Sequence, residues 1–495
     1  MKKLWALVLA GCIAVVLSTT AWAGAPSTSM DIVTNEADLI DRLANHASTS
    51  IRLDFDIEVS STLVVEKNVT LDLNGHMLRL KEGKSGSVIH VKSGTLTLVD
   101  EYDRISAPPT HRFTVGGDGL WTLRKDGDTG ELKTVVGGVI TGGKGGSYKC
   151  GLTAYNDCGG GVFVAPGASF VMEGGNIVGC SGDKEYSDGG GGVFVSDGGE
   201  FKMIGGTISG CVASRGGGLC NHGTATLTST AKIESCRATG TGSEDYGGGV
   251  CSFRNLTISG KVEITGCKAT KSESAAMYVN QADVATSSIK GGTFDGNVLF
   301  YKNSGGNISV SGGTFNDEVT FNNNGDNGSV SVSGGTFNGK VMFENNGDDN
   351  NDTLTVSGGT FNGDVSGVWT VTFNADGGTP VPEPQIRANL PATKPSEPTK
   401  DGFDFGGWYT DEALTTEYKF TEDEKVTQNM TLKAKWAEKQ EPVAEQPKYY
   451  YKASGSGETT ETKGSPKTFD AGVGVYVGMA VLSVSGMAWT TKKRR

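Results

Sequence analysis

Two rows of residues recur along this chain with a shared period. Gly159-Gly160-Gly161-Val162-Phe163-Val164 returns as Gly190-Gly191-Gly192-Val193-Phe194-Val195, then as Gly216-Gly217-Gly218-Leu219-Cys220 and Gly247-Gly248-Gly249-Val250-Cys251, at steps of 31, 26 and 31 residues. Ile177-x-x-Cys180 returns at Ile208-x-x-Cys211, Ile233-x-x-Cys236 and Ile264-x-x-Cys267, at steps of 31, 25 and 31. Independent rows with a common period are the mark of stacked coils. Inside a coil the apolar residues alternate over short stretches bounded by glycine, as in Phe170-Val171-Met172. That is strand periodicity, and no stretch has the length that a helical repeat needs. The pattern predicts an all-β solenoid of parallel strands, each coil rising ~4.8 Å on the one before. It also explains the composition: 75 of 495 residues are glycine, about twice the usual share, as expected of corners that need positive φ or lack room for a side chain.

A second array has shorter coils. Gly291-Gly292-Thr293-Phe294 repeats at Phe315, Phe337 and Phe361, in steps of 21, 22 and 24, and these four phenylalanines are expected to stack inside the solenoid. Residues 31–100 read as the first coils, with Asn35 capping a short amphipathic helix that carries Leu39, Ile40 and Leu43. Such a cap is needed because an open solenoid end is an unpaired sheet edge.

Residues 31–365, with their Gly-Gly-Gly-Val and Ile-x-Gly-Cys rows, resemble the pectin-lyase-like right-handed parallel β-helix proteins, and more narrowly the repeats of bacterial surface adhesins. The segments Val371-Thr372-Phe373-Asn374-Ala375-Asp376-Gly377-Gly378, Gly402-Phe403-Asp404-Phe405-Gly406-Gly407-Trp408-Tyr409 and Thr431-Leu432-Lys433-Ala434-Lys435-Trp436 resemble the internalin B-repeat. The resemblance implies a small β-grasp-like domain over 369–437, with a spacer or weak binding role. A polar linker, 438–464, follows.

The two ends read as addresses. Residues 1–23 have a basic start, an apolar run and the small-x-small site Ala21-Trp22-Ala23, which predicts a signal peptide. Leu9-Ala10-Gly11-Cys12 is a competing lipoprotein signal, although apolar residues continue beyond Cys12. At the other end, 471–490 carries no charge, is just long enough to span a membrane and precedes Lys492-Lys493-Arg494-Arg495, which places the C-terminus inside. Ser465-Pro466-Lys467-Thr468-Phe469 before it resembles a variant sortase sorting signal, since Pro466 and Thr468 match the family's pentapeptide. The resemblance implies a sortase as partner, cleavage after Thr468 and linkage to peptidoglycan. The alternative is a plain single-pass anchor.

Few residues invite chemistry. The mature chain keeps eight of nine cysteines. In-register parallel strands hold Cβ atoms ~4.8 Å apart, beyond the ~3.8 Å that a disulfide prefers. Buried free thiols are therefore expected in the ladders, with strained disulfides the alternative, whereas Cys150 and Cys158 in a loop form a candidate disulfide. No Cys-x-x-Cys or histidine spacing suggests a metal, and no cofactor is implied. The acidic tract Asp348-Asp349 and Asp352 would hold calcium only weakly. Asp72 before Asn74-Gly75-His76 reads as a strand ending in a turn. No carboxylate pair recurs at matching coil positions, as a glycoside hydrolase would require. A net charge of −12 disfavours nucleic acid.

The connections after the ladder cysteines (181–188, 212–215, 237–246 and 268–275) vary in length, so they fall on one edge of the solenoid, as binding loops do. Tyr186 and Tyr246 on this edge, with Trp121 in the insertion 101–136, are the candidate contacts for a glycan or host surface. The leading expectation is a non-enzymatic, wall-anchored, adhesin-like surface protein. A surface-displayed polysaccharide lyase or glycoside hydrolase and a purely structural wall protein are the alternatives.

Overall fold

The computed structural model describes residues 30–439 except 46, 103–107, 152, 183–188, 241–245, 271–273, 282–284, 304, 325–327, 346–351, 388–390 and 422. The signal sequence with Cys12, Ala21 and Ala23, the tyrosine at 186, Asp348-Asp349, almost all of the linker, the motif 465–469 and the apolar span 471–490 lie outside the described residues.

The chain winds through three faces of parallel strands. The first runs from Asp31–Val33 through Ser50–Leu53, Val69–Asp72, Thr95–Val99, Ser169–Met172, Glu200–Met203 and Thr224–Leu227 to Asn255–Ile258. The second runs from Ile57–Val59 through Met77–Leu80, Val139–Thr141, Asn176–Val178, Thr207–Ser209 and Lys232–Glu234 to Glu263–Thr265. The third begins at Leu63–Val65 and Ile89–Val91, takes in Val162–Val164, Val193–Val195, Leu219–Asn221 and Val250–Ser252, and continues through the second array. Register is kept from coil to coil, so Ile140, Ile177, Ile208, Ile233 and Ile264 form one fully buried column. The glycine triplets turn the corner into the third face. Their first members, Gly159, Gly190, Gly216 and Gly247, have φ between 54° and 72°. Their later members have no room, since a Cβ on Gly192 would stand 2.5 Å from the carbonyl of Gly218.

In the second array one long strand replaces two short ones. Thr286–Phe294 pairs first with Asn255–Ile258 and then with Glu263–Thr265, and its register shifts around the Gly-Gly step. The expected phenylalanine ladder is present: Phe294, Phe315, Phe337 and Phe361 stack at 4.7, 4.9 and 4.9 Å. A second ladder, Phe300, Phe321 and Phe343, runs beside it at 4.9 and 5.0 Å and meets the first edge to face. Burying such rings contributes roughly 25 cal/mol per Å² of apolar surface, with further gain from their geometry.

Both ends are covered. The helix Glu36–Ala44 is capped by Asn35, whose side chain accepts from the Asp38 amide at 3.1 Å, and it buries Leu39 and Leu43 while Ile40 stays exposed. At the far end, Val368 and Ile386 pack on the solenoid core. Beyond them a four-stranded sheet, Gln385–Arg387, Trp369–Asn374, Met430–Glu438 and Phe403–Tyr409, has a parallel central pair and its own core of Val371, Phe373, Trp408 and Leu432. No helix crosses this sheet among the described residues, so it is grasp-like in its strands alone. None of the described helices is long and apolar enough to cross a membrane.

The structure corrects two expectations. Cys150 and Cys158 belong to a hairpin, Gly146–Cys150 with Thr153–Cys158, in which Cys150 faces Thr153 near the turn and Cys158 faces Gly146 at the base. Five residues of strand separate the two levels by about 17 Å, far beyond the ~7 Å limit for a bridge, and neither cysteine is in a disulfide. The insertion 101–136 carries an antiparallel sheet, Thr110–Val115, Trp121–Leu123 and Leu132–Val136, that lies in the chain between the first two faces rather than at the edge with the cysteine connections. Trp121 is buried in it, 6% exposed, with Phe113, Val135, Val139 and Val178. Its amide donates to the Gly210 carbonyl at 3.0 Å, and a Cβ on Gly210 would fall 2.1 Å from the indole. Trp121 pins the inserted sheet to the second face.

Candidate functional site

The second residue of each third-face strand, between two inward-facing positions, points outward. In register these are Val64, His90, Phe163, Phe194, Cys220, Cys251, Tyr278, Leu299, Thr320 and Met342. The early part of this column is covered. Tyr148 of the hairpin stacks on Phe163 at 4.0 Å and on His90 at 4.4 Å, and Tyr155 meets Phe194 at 5.3 Å. Burial, assisted by Lys92 and opposed by Glu66, lowers the His90 pKa from 6.5 to about 4, so the imidazole is neutral. Cys220 and Cys251 are fully buried thiols in the same column, and burial pushes the Cys220 pKa up. The inward ladder thiols, Cys180, Cys211, Cys236 and Cys267, are free as well and lie against the carbonyls two residues earlier at 3.4–3.6 Å. They are core residues.

Further along, the column opens into a groove of about 680 Å³ between Tyr246 and the strands Met277–Gln281, Val298–Lys302, Val319–Asn323 and Val341–Asn345. Tyr246 stacks on Tyr278 at 4.2 Å and 14°. Tyr278, Leu299, Thr320 and Met342 form one line of the floor, and Tyr301, Asn322 and Glu344 the next. Alternation sets this apart from the core, because Val298, Phe300, Val319 and Phe321 between them point inward. The polar groups are already ordered: Asn280 donates to the Tyr278 hydroxyl at 3.1 Å, Asn322 to Glu344 at 2.6 Å and Asn324 to the Tyr301 hydroxyl at 2.6 Å. Burial holds the Tyr278 phenol well above its ordinary pKa, so it keeps a proton to donate. The size and the mixture of apolar floor and few polar groups are those of a small-molecule site.

The groove holds two carboxylates. Glu318 pairs with Lys340 at 3.4 Å, and Glu344 sits four strand positions and one coil away. Their backbones are thus about 14 Å apart, whereas paired glycosidase carboxyls lie about 5–9.5 Å apart. Among the described residues no three His, Cys, Asp or Glu side chains could hold a metal together. Asp72 is structural: it pairs with Arg52 at 3.2 Å and accepts the amides of Asn74 and Glu101.

Of the contacts expected from sequence, Tyr246 is in the groove, Trp121 lies buried elsewhere, and 186 is not described. Sequence reasoning missed Tyr278, Leu299, Tyr301 and Met342. Their signal was available, since Val298-Leu299-Phe300, Val319-Thr320-Phe321 and Val341-Met342-Phe343 repeat with the coil and leave the middle residue outside.

Residues 369–435 match the Listeria-Bacteroides repeat domain. Two proteins of Evansella cellulosilytica, provisionally named a Gly-rich membrane protein and a membrane protein, are each 44% identical to this chain over 69 residues. The matched region is 14% of this chain and only 8% and 10% of those relatives' lengths. No solved structure matches the chain.

Proposed function

We propose that this chain is a surface-associated, adhesin-like protein that binds a glycan in the tyrosine-lined groove of its third face. The observation that carries the reading is the groove itself: stacked Tyr246 and Tyr278 beside Leu299, Tyr301 and Met342, with Asn322 and Glu344 in the same floor. Sugar rings offer apolar faces to aromatic side chains and hydroxyls to amides and carboxylates, and this floor supplies both. The Listeria-Bacteroides repeat and the membrane naming of the Evansella proteins support surface association.

The same reading includes export by the signal peptide 1–23 and sorting at Ser465-Pro466-Lys467-Thr468-Phe469 by a sortase onto peptidoglycan. The β-helix, right-handed as in its pectin-lyase-like resemblance, is then the display stalk, and the B-repeat-like module over 369–437 is a spacer near the wall.

A glycan array probed with the full chain and with Tyr278→Ala tests the binding site. Retention of a glycan by the natural chain, weakened at least tenfold in Tyr278→Ala and little in Tyr278→Phe, supports it. Equal retention by Tyr278→Ala sinks the assignment.

A further inference from the structure

After three of the four ladder cysteines a two-residue strand joins neighbouring coils: Val212–Ala213, Arg237–Ala238 and Lys268–Ala269. Their register places Val212, Arg237 and Lys268 in one column. Two cations therefore stand directly opposite each other on adjacent strands, an arrangement that costs stability when nothing compensates it. Among the described residues neither forms an ion pair, and the Nε of Arg237 is shielded from solvent without a hydrogen-bond partner.

Both side chains line a hollow of about 260 Å³ that the inserted sheet closes from the other side. There Lys133 and Trp121 stand opposite them, with Lys133 5.6 Å above the indole, and the glycine turn 116–119 packs on the Arg237 stem. Glu131 is the one carboxylate in this lining, and it already pairs with Lys133 at 2.6 Å. Asp118 of the turn bonds the Leu120 amide. Among the described residues the lining thus carries two positive charges, those of Arg237 and Lys268, with no carboxylate paired to them, in a chain whose net charge is −12.

We propose that this pocket binds a small oxyanion, a sulfate, phosphate or carboxylate group, with Arg237 and Lys268 as its charge partners. An anion between them converts an unfavourable like-charge pair into two charge-assisted contacts. The planar guanidinium suits a bidentate oxyanion, and the ammonium acts as a point charge. The site shares no residue with the tyrosine groove, so either can fail without the other.

The test compares the full chain with Lys268→Gln and Arg237→Gln/Lys268→Gln. Thermal midpoints are measured in sodium sulfate and in sodium chloride at equal ionic strength. Titrations follow with inorganic phosphate, a heparin-derived sulfated oligosaccharide and a trigalacturonate. Sulfate stabilises proteins generally, so the expected result is a larger sulfate-induced rise in the natural chain than in the double variant. At least one of the three titrants should bind the natural chain tenfold or more tighter than the double variant, and the one that does so identifies the source of the anion. In chloride, Lys268→Gln should be at least as stable as the natural chain, because a repulsion is removed. Lys268 is exposed, so this single variant carries the test if the double variant fails to fold. Equal sulfate responses, no titrant that discriminates, or a Lys268→Gln chain clearly less stable in chloride would each overturn the proposal.

Discussion

Replacing Trp121 with alanine should release the inserted sheet while leaving the solenoid intact. The indole is 6% exposed, covers Gly210 so closely that no Cβ fits there, and shares a core of only a few residues with Phe113, Val135, Val139 and Val178. Truncating a buried tryptophan costs about 3–5 kcal/mol. A three-stranded sheet depends on such a small core, since small isolated sheets are marginal in water. The loss should therefore appear as local opening rather than global unfolding, with an opening equilibrium raised roughly 10²–10⁴-fold at about 1.4 kcal/mol per decade. Native-state hydrogen exchange reads this directly. Amides of Thr110–Val115 and Leu132–Val136 should lose protection, whereas those of Val162–Val164 and Val193–Val195 should keep theirs. Unchanged protection of the inserted strands would show that Trp121 does not pin them, and its exposure as a surface contact would again be open.

Other consequences are as direct. Phe315→Ala removes the ring flanked at 4.7 and 4.9 Å in the ladder, so thermal or denaturant unfolding should show a loss of about 3–5 kcal/mol, and a loss under ~1 would contradict the stacked core. Ser235 holds φ at 53°, where its column neighbours are Gly210 and Gly266, so Ser235→Gly should raise the melting midpoint by relieving about 1 kcal/mol of backbone strain. A lower midpoint would count against that reading. His90 is depressed on folding from 6.5 to about 4, so the unfolded chain binds the extra proton and stability falls as pH drops through that window. His90→Phe should flatten that part of a stability-against-pH curve. In thiol labelling of the folded chain, half-buried Cys150 should react first, though more slowly than an ordinary exposed thiol at the same pH because burial raises its pKa, while the ladder cysteines should react only on unfolding.

What the sequence disclosed was whatever repeats in register. The Phe294 ladder and the isoleucine column are legible because each coil restates the same inward position, and the Asn35 cap because a capping residue sits beside its own helix. The groove was half legible. Tyr246 stood out as an aromatic in a corner loop, but its stacking partner Tyr278 hides inside an apolar strand where alternation, not residue type, decides which side faces out. Trp121 misled because its partner, Gly210, is 89 residues away and has no side chain to advertise the contact. Cys150 and Cys158 misled for the opposite reason: near in sequence, they are held apart by the strands of their own hairpin.

As proposed, the groove binds a glycan without consuming it. Incubating the full chain with a panel of plant, host and bacterial polysaccharides, with and without calcium, while measuring both retention and new chain ends, tests it most directly. The expected result is retention of at least one polysaccharide, lost in Tyr278→Ala, with no new reducing ends and no unsaturated uronates. New ends released by the natural chain, or retention by none of the panel, would contradict it.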